Sequence, residues 1–341
     1  MQVQLSGSKN PLAYLLLIAP FFLWGTAMVA MKGVIPHTTP LFMAGVRLIP
    51  AGVLILMVAA FMGKPVPKSW LAWLWIIIFA LVDGTLFQGF LAEGLVRTNA
   101  GLGSVMIDSQ PLAVALLCLW LFKEHIGLWG WLGLGLGITG ISLIGLPEEW
   151  IFHLLDSGVT INPDNWQDLF NSGELLMLLA ALSMAVGTVM IRFVCRYADP
   201  VMATGWHMII GGWPLWGMSS VLEAQQWQNL VLSDWIALSY ATVFGSAIAY
   251  GLFFYFASSG NLTSLSSLTF LTPIFALIFG YIFLSEVLTI IQWLGVILTL
   301  ISIYLINQRE NIGVKNQTIT ITETNTTEES LTLELSPKKV P

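Results

Sequence analysis

Three ionisable residues stand inside long apolar runs of the sequence, and they are where its chemistry is concentrated. An ionised side chain at the centre of a membrane-spanning helix costs about 2.5–3.5 kcal/mol, so each needs either a partner or a task. Asp83, flanked by Gly84 and Thr85, reads as a carboxylate that faces a central cavity and binds a proton or a solute. The competing reading is a partner for an arginine that locks helix packing. Arg47 carries a planar fork suited to a carboxylate or phosphate on a substrate. It serves equally well as the ion-pair partner of Asp83 or Asp108, and that structural pairing is the favoured reading. His207 titrates near neutral pH when unperturbed; the bland alternative is a satisfied core histidine.

A second group surrounds two prolines. Asp108 and Gln110 precede Pro111, and Thr269 and Thr272 precede Pro273. A proline within a helix removes a backbone hydrogen bond and kinks it. In a bilayer such irregular backbone survives where it is buried in protein or lines a cavity. Asp108, Gln110, Thr269 and Thr272 are therefore expected at a cavity wall, unless Pro111 and Pro273 merely bend packing helices. Trp24, Trp206, Tyr250 and Tyr255 supply aromatic surface for a wall, or else pack and anchor. Glu93 and Arg97 have i,i+4 spacing and read as an ion pair at a helix end. Glu124 and Glu286 read as end caps or anchors, and Gly133 with Gly137 as a close helix contact.

No constellation for catalysis is present. There is no His-Glu-x-x-His, no aspartate-rich pair and no serine elbow, and no cofactor or metal is expected. The run Gly133-Leu134-Gly135-Leu136-Gly137 has no Lys-Ser or Lys-Thr after it, so it is no phosphate loop. Cys118 and Cys195 lack metal-ligand spacing and read as small hydrophobes rather than a disulfide.

The elements that must position these residues are set by composition. Of 341 residues, 56% are hydrophobic and 9% charged, against about 25% charged in a soluble domain. Lipid as the outer solvent lets apolar side chains face outwards, which one soluble core of this size does not. The 15 tryptophans suit membrane–water interfaces. Ten apolar segments approach the roughly 20 residues needed to span hydrocarbon. They fall near 12–31, 41–62, 70–95, 100–122, 128–146, 173–191, 201–222, 235–258, 262–284 and 289–307. The first reads as a retained span rather than a signal peptide. The acidic stretch 147–172 reads as a loop partly on the bilayer surface, and 308–341 as a disordered tail. No basic run points to nucleic acid.

Lysine and arginine collect in cytoplasmic loops. With a cytoplasmic N-terminus, Lys9, Lys64, Lys68, Lys123, Arg192, Arg196, Arg309, Lys315, Lys338 and Lys339 lie inside, against Lys32 and Arg97 outside. Both termini are thus expected in the cytoplasm of a multi-pass protein of the plasma (inner) membrane, of bacterial type, with 147–172 outside. A homo-oligomer is left open.

The two halves repeat. At a shift of about 162, Asn99 falls on Asn261, Ser104 on Ser266, Pro111 on Pro273, Glu124 on Glu286, and Trp131-Leu132-Gly133 on Trp293-Leu294-Gly295. Nearer each half's start the shift is about 160. Pro40 meets Pro200, Gly45 meets Gly205, Arg47 meets His207 and Gly52 meets Gly212. Five spans per half is an odd number, so the second half enters the membrane from the opposite side. Inverted repeats of this kind underlie alternating access in many secondary transporters. A scaffold or receptor has no need of one.

The opening Phe22-Leu23-Trp24-Gly25-Thr26, with a partial echo in Gly187-Thr188, the Asn-x-x-x-x-Ser then Pro pattern and the Glu followed by Trp-Leu-Gly together resemble EamA-type members of the drug/metabolite transporter superfamily. The resemblance covers 12–307 apart from the central loop. It implies an all-α fold of ten transmembrane helices in two inverted five-helix repeats, 12–146 and 173–307. It also implies a secondary carrier, in the exporting direction, of small metabolites such as amino acids. The alternative from another class is a membrane-embedded transferase acting on a lipid-linked substrate.

Overall fold

A computed structural model describes residues 11–97, 107–124, 126–145, 173–284, 289–291 and 293–306. The 147–172 and 308–341 segments, Asn99, Ser104 and Glu286 lie outside the described residues. Among the described residues all regular structure is helical. The elements are α1 (Pro11–Lys32), α2 (Pro40–Phe61), α3 (Trp70–Arg97), α4 (Gln110–Phe122), α5 (Leu128–Gly145), α6 (Gly173–Val194), α7 (Pro200–Leu222), α8 (Leu232–Ser258), α9 (262–284) and α10 (Trp293–Ile306). Five stretches are long and apolar enough to cross a membrane: Tyr14–Met31, Pro40–Phe61, Trp70–Arg97, Leu175–Val194 and Leu232–Ser258.

Local sequence sets the helix starts. Pro40 and Pro200 open α2 and α7, where a missing N–H costs nothing. Ser69, Asp199 and Asn261 cap α3, α7 and α9 by accepting from the N–H groups of Ala72, Val201 and Ser264 at 3.1, 2.9 and 3.0 Å. The helices are apolar nearly all round, and large hydrophobic side chains such as Leu15, Val58, Trp120, Leu182 and Ile236 stay exposed on the outside. That surface is stable against lipid, and the fold is an all-α, polytopic membrane fold.

The centre of the bundle is the antiparallel pair α2 and α7. They approach through glycine: a Cβ on Gly52 would stand 2.6 Å from the Gly205 carbonyl oxygen, and one on Gly205 would stand 2.7 Å from Leu56. The glycines that matched in the two halves thus lie on one shared seam. The expected small-residue contact at Gly133 and Gly137 is made by α5 against α10, where the Ser302 hydroxyl donates to the Gly133 carbonyl at 2.6 Å.

Two helices contain a wider turn at matching places. Ala80–Phe87 in α3 and Ala241–Ile248 in α8 are π-helical, 161 positions apart. Such segments are rare and concentrate at functional sites. The first packs on α7 and the second on α1 and α2.

The two prolines do not kink continuous helices. Pro111 lies in the first turn of α4, which starts at Gln110 after a turn at Asp108–Ser109. Pro273 stands just inside the segment Leu271–Leu284, which resumes α9 after Leu262–Ser267 and the 3₁₀ turn Leu268–Phe270. Both mark a break, and a first-turn proline has no intrahelical hydrogen bond to lose.

Candidate functional site

The breaks and the π segments converge on one cavity. It encloses about 800 Å³ of space between atoms, its open mouth included, and it lies between the helices of the bundle, where small-molecule sites commonly form. Its lining includes Trp24, Met28, Met31, Arg47, Phe87, Leu91, Leu95, Asp108, Gln110, Met177, Met184, Tyr250, Thr269 and Thr272. Arg47 and Asp108 are the charged members, and the rest of the wall is mostly thioether, aliphatic and aromatic. Of the candidates from sequence, Trp24, Arg47, Asp108, Gln110, Tyr250, Thr269 and Thr272 come together here. Asp83, His207, Trp206 and Tyr255 do not line it.

Arg47 is 8% exposed. Its Nη2 donates to Gln88 Oε1 at 2.6 Å, and its Nη1 to Met31 Sδ at 3.0 Å. Gln88 Nε2 in turn donates to the Tyr250 hydroxyl at 2.7 Å. The Tyr250 ring meets Trp24 edge-on at 5.1 Å. The expected ion pair of Arg47 with Asp83 is therefore corrected: a neutral amide holds the guanidinium. Gln88 follows directly on the π segment of α3, and sequence reasoning passed over it because a neutral amide raises no cost alarm.

Several cavity-lining residues keep a buried polar atom with no hydrogen-bond partner among the described residues: Trp24 Nε1, Arg47 Nε, Gln110 Oε1 and Thr272 Oγ1. Gln110 spends its Nε2 on the Thr188 hydroxyl at 3.1 Å. Buried polar groups are normally satisfied, so these four make the wall a candidate site, while atoms of residues outside the lining, Asp83 Oδ1 and Trp206 Nε1 among them, are likewise unpaired among the described residues.

Asp83 and His207 form a separate buried pair behind the cavity. His207 Nε2 lies 3.1 Å from Asp83 Oδ2. Phe79 lies tilted against the imidazole at 4.2 Å and Phe254 meets it edge-on at 5.4 Å. Gly187 of α6 lies directly against the carboxylate, where a Cβ would stand 2.8 Å from Asp83 Cγ. The arginine-partner reading of Asp83 is thus replaced by a histidine partner, and His207 is not alone.

Connections at the two ends of the bundle are clasped in matching fashion. At one end Glu223, after α7, accepts from the Thr39 hydroxyl at 2.7 Å and from the N–H groups of Leu41 and Phe42 at 2.9 and 3.0 Å, capping α2. At the other, basic end Lys64, after α2, lies 2.9 Å from Asp199, which caps α7. That hydrogen-bonded carboxylate raises the Lys64 pKa. Nearby, burial, helped by Asp199, pushes the Cys195 thiol up to about 12. The basic end also holds Arg192, which donates to the Gly260 carbonyl, lies 3.4 Å from Glu124 and sits over the Phe122 ring at 4.8 Å. Thr263 donates to the same Glu124 at 3.2 Å. Glu124 is thus more than an end cap, since it joins the α4–α5 connection to the end of α6 and the start of α9. Glu93 and Arg97 make the expected pair at 2.7 Å.

Comparison with known proteins agrees with this arrangement. The model of the EamA-like transporter family matches residues 11–146 and 171–308. The chain is 64% identical over 318 residues to an "Uncharacterized transporter" of Synechocystis sp., covering 92% of this chain and 96% of that one. It is 53% identical over 308 residues to a chloroplastic WAT1-related protein of Arabidopsis thaliana, covering 89% and 71%. It is 26% identical over 291 residues to the inner membrane transporter YedA of Escherichia coli, covering 82% and 85%. A chain of known crystal structure shares the fold at a TM-score of 0.72 and 14% identity, over 86% of this chain and 98% of that one. Family membership also sets the transferase alternative aside. The chain belongs to the EamA-like transporter family and is a multi-pass membrane protein that carries small molecules across the bilayer as a secondary carrier.

Proposed function

We propose that this carrier works by alternating access between two inverted five-helix repeats, 12–146 and 173–307, and exports small metabolites such as amino acids from the cytoplasm. The observation that carries the reading is the paired asymmetry of the bundle. Matching features recur in both halves: the glycine seam of α2 and α7, the π segments of α3 and α8, the breaks in α4 and α9, and the clasps at Thr39 and Asp199. The cavity, in contrast, lies towards one end only. Most of its lining comes from the second half of α1, the first half of α2, the end of α3 and the first halves of α4 and α6, and Gly245, Tyr250, Thr269 and Thr272 of α8 and α9 form its floor. With the termini in the cytoplasm, as the lysine and arginine distribution supports, that end faces outwards and the Arg192–Glu124 cluster closes the cytoplasmic side.

Two equivalent halves of opposite orientation can exchange these roles, which opens the same cavity to the other side. The test is counterflow in proteoliposomes of the purified chain, screened with amino acids and other metabolites. Saturable exchange of one solute class is the expected result. Its absence across sugars, nucleosides, amines and amino acids alike would sink the carrier mechanism.

A further inference from the structure

The cavity holds a charge problem that the protein alone does not solve. Arg47 is buried, and its side-chain partners are an amide oxygen and a thioether sulfur. Among the described residues no carboxylate lies within ion-pair distance of it, and its Nε has no partner at all. A buried guanidinium held by neutral acceptors is costly to the fold.

The side chain is nevertheless held in place. Gln88 is itself anchored by Tyr250, so its amide nitrogen is spent there and its oxygen is turned to Arg47. One edge of the fork is thereby fixed, while Nε is left over for something that comes and goes. The unspent polar atoms of Trp24 and Thr272 stand in the same wall. Around them Met28, Leu91, Met177 and Met184 offer a deformable apolar surface.

We propose that the solute is a small organic monocarboxylate with an apolar body, and that Arg47 binds its carboxylate. The inference rests on the carrier reading above and names its substrate class. A planar carboxylate matches the guanidinium fork. Phosphate esters and dicarboxylates bring two negative charges to a lining whose described residues hold one cation, Arg47, and one carboxyl group, Asp108. Sugars would need many polar partners where the wall is mostly apolar.

The test compares matched probes with the full chain: leucine, phenylalanine and 3-phenylpropionate against their three amides. Counterflow in proteoliposomes and thermal shift in detergent are both read. The acids should be favoured over the amides by about tenfold or more, because an amide leaves the buried cation uncompensated. Arg47→Gln should lose that preference by weakening the acids alone, and should melt no lower than the native chain. A structural arginine would lower the melting temperature instead. Gln88→Leu, which frees the fork without removing it, should weaken the acids and spare the amides. Equal handling of acids and amides, or a preference that survives Arg47→Gln, overturns the inference and leaves the carrier standing. So does transport of sugars or amines with none of the acids. If no probe moves or stabilises the chain, the carboxylate assignment fails, and the wider metabolite panel then decides the carrier reading by itself.

Discussion

His207 bridges two helices with its two nitrogens: Nδ1 lies 2.7 Å from the Thr204 carbonyl oxygen in its own helix, and Nε2 lies 3.1 Å from Asp83 Oδ2 in α3. A carbonyl only accepts, so Nδ1 carries a proton. The second contact then needs one further proton, on either Nε2 or the carboxyl. The pair is neutral overall with that proton in either place, which is how an aspartate and a histidine coexist in an apolar interior.

Asp83→Asn keeps this arithmetic, because the amide donates to an unprotonated Nε2. It should preserve folding and exchange activity. Asp83→Leu strands the imidazole and should cost about 1–3 kcal/mol. Thermal unfolding in detergent and counterflow check both variants. Loss of exchange in a well-folded Asp83→Asn chain would give the pair a transport role that its position behind the cavity does not provide.

Gly52→Ala places a methyl group 2.6 Å from the Gly205 carbonyl oxygen, a backbone atom that cannot swing away. Forcing the seam apart should cost about 1–3 kcal/mol. Gly217→Ala in α7, where an added Cβ meets nothing within 4 Å, is the control and should be neutral. Melting temperatures of the two variants provide the comparison.

Arg192→Gln removes the hub that ties Glu124 to the Gly260 carbonyl at the basic end. The variant should shift the resting population towards opening at that end. A cysteine placed at Thr263 should then label faster with a thiol reagent supplied from that side than it does in a chain with Arg192. Equal labelling rates would mean that the cluster only stabilises the turn.

Cys195 should resist thiol reagents. With its pKa pushed up to about 12, the thiolate is a trace species at pH 8 and becomes abundant only as pH climbs towards that value. Cys118 is buried. Maleimide labelling of the native chain at pH 7 to 8 should therefore be slow, and faster at pH 10. This makes the native background suitable for mapping orientation with single cysteines at Lys68 and Gln225, exposed positions at opposite ends.

Much of the architecture was legible because lipid imposes a coarse rule that sequence reports directly: apolar runs of spanning length, with punctuation between them. The recurrence of residues between the two halves of the sequence stood out for a different reason. Prolines, tryptophans and glutamates in register are scarce enough to stand out, and Pro40 and Pro200 do open corresponding helices. Partner choice was not legible. Asp83 and Arg47 carry opposite charges in neighbouring spans, so pairing them is the obvious electrostatic guess. The structure instead gives Asp83 to His207 and Arg47 to Gln88. That choice depends on which way each side chain faces, and the π segment between Asp83 and Gln88 alters the facing. An α-helical reading of α3 places Gln88 at the wrong azimuth. The charge of Arg47 drew attention, but the neutral relay that holds it did not.

Each wide turn in α3 and α8 amounts to a phase shift written into an otherwise regular helix. An α-helix advances by about 100° per residue. Were Ala80–Phe87 drawn into ordinary α geometry with every residue kept, everything beyond it would rotate by roughly that angle or more. Gln88, Leu91 and Leu95 would swing off the cavity together, while Asp83 and the helix before it kept their bearings. The same closure of Ala241–Ile248, with no residue removed, would turn Tyr250 away from Gln88. The pitch of the backbone between these points, rather than the identity of any one side chain, is what aims the two ends of the relay at each other.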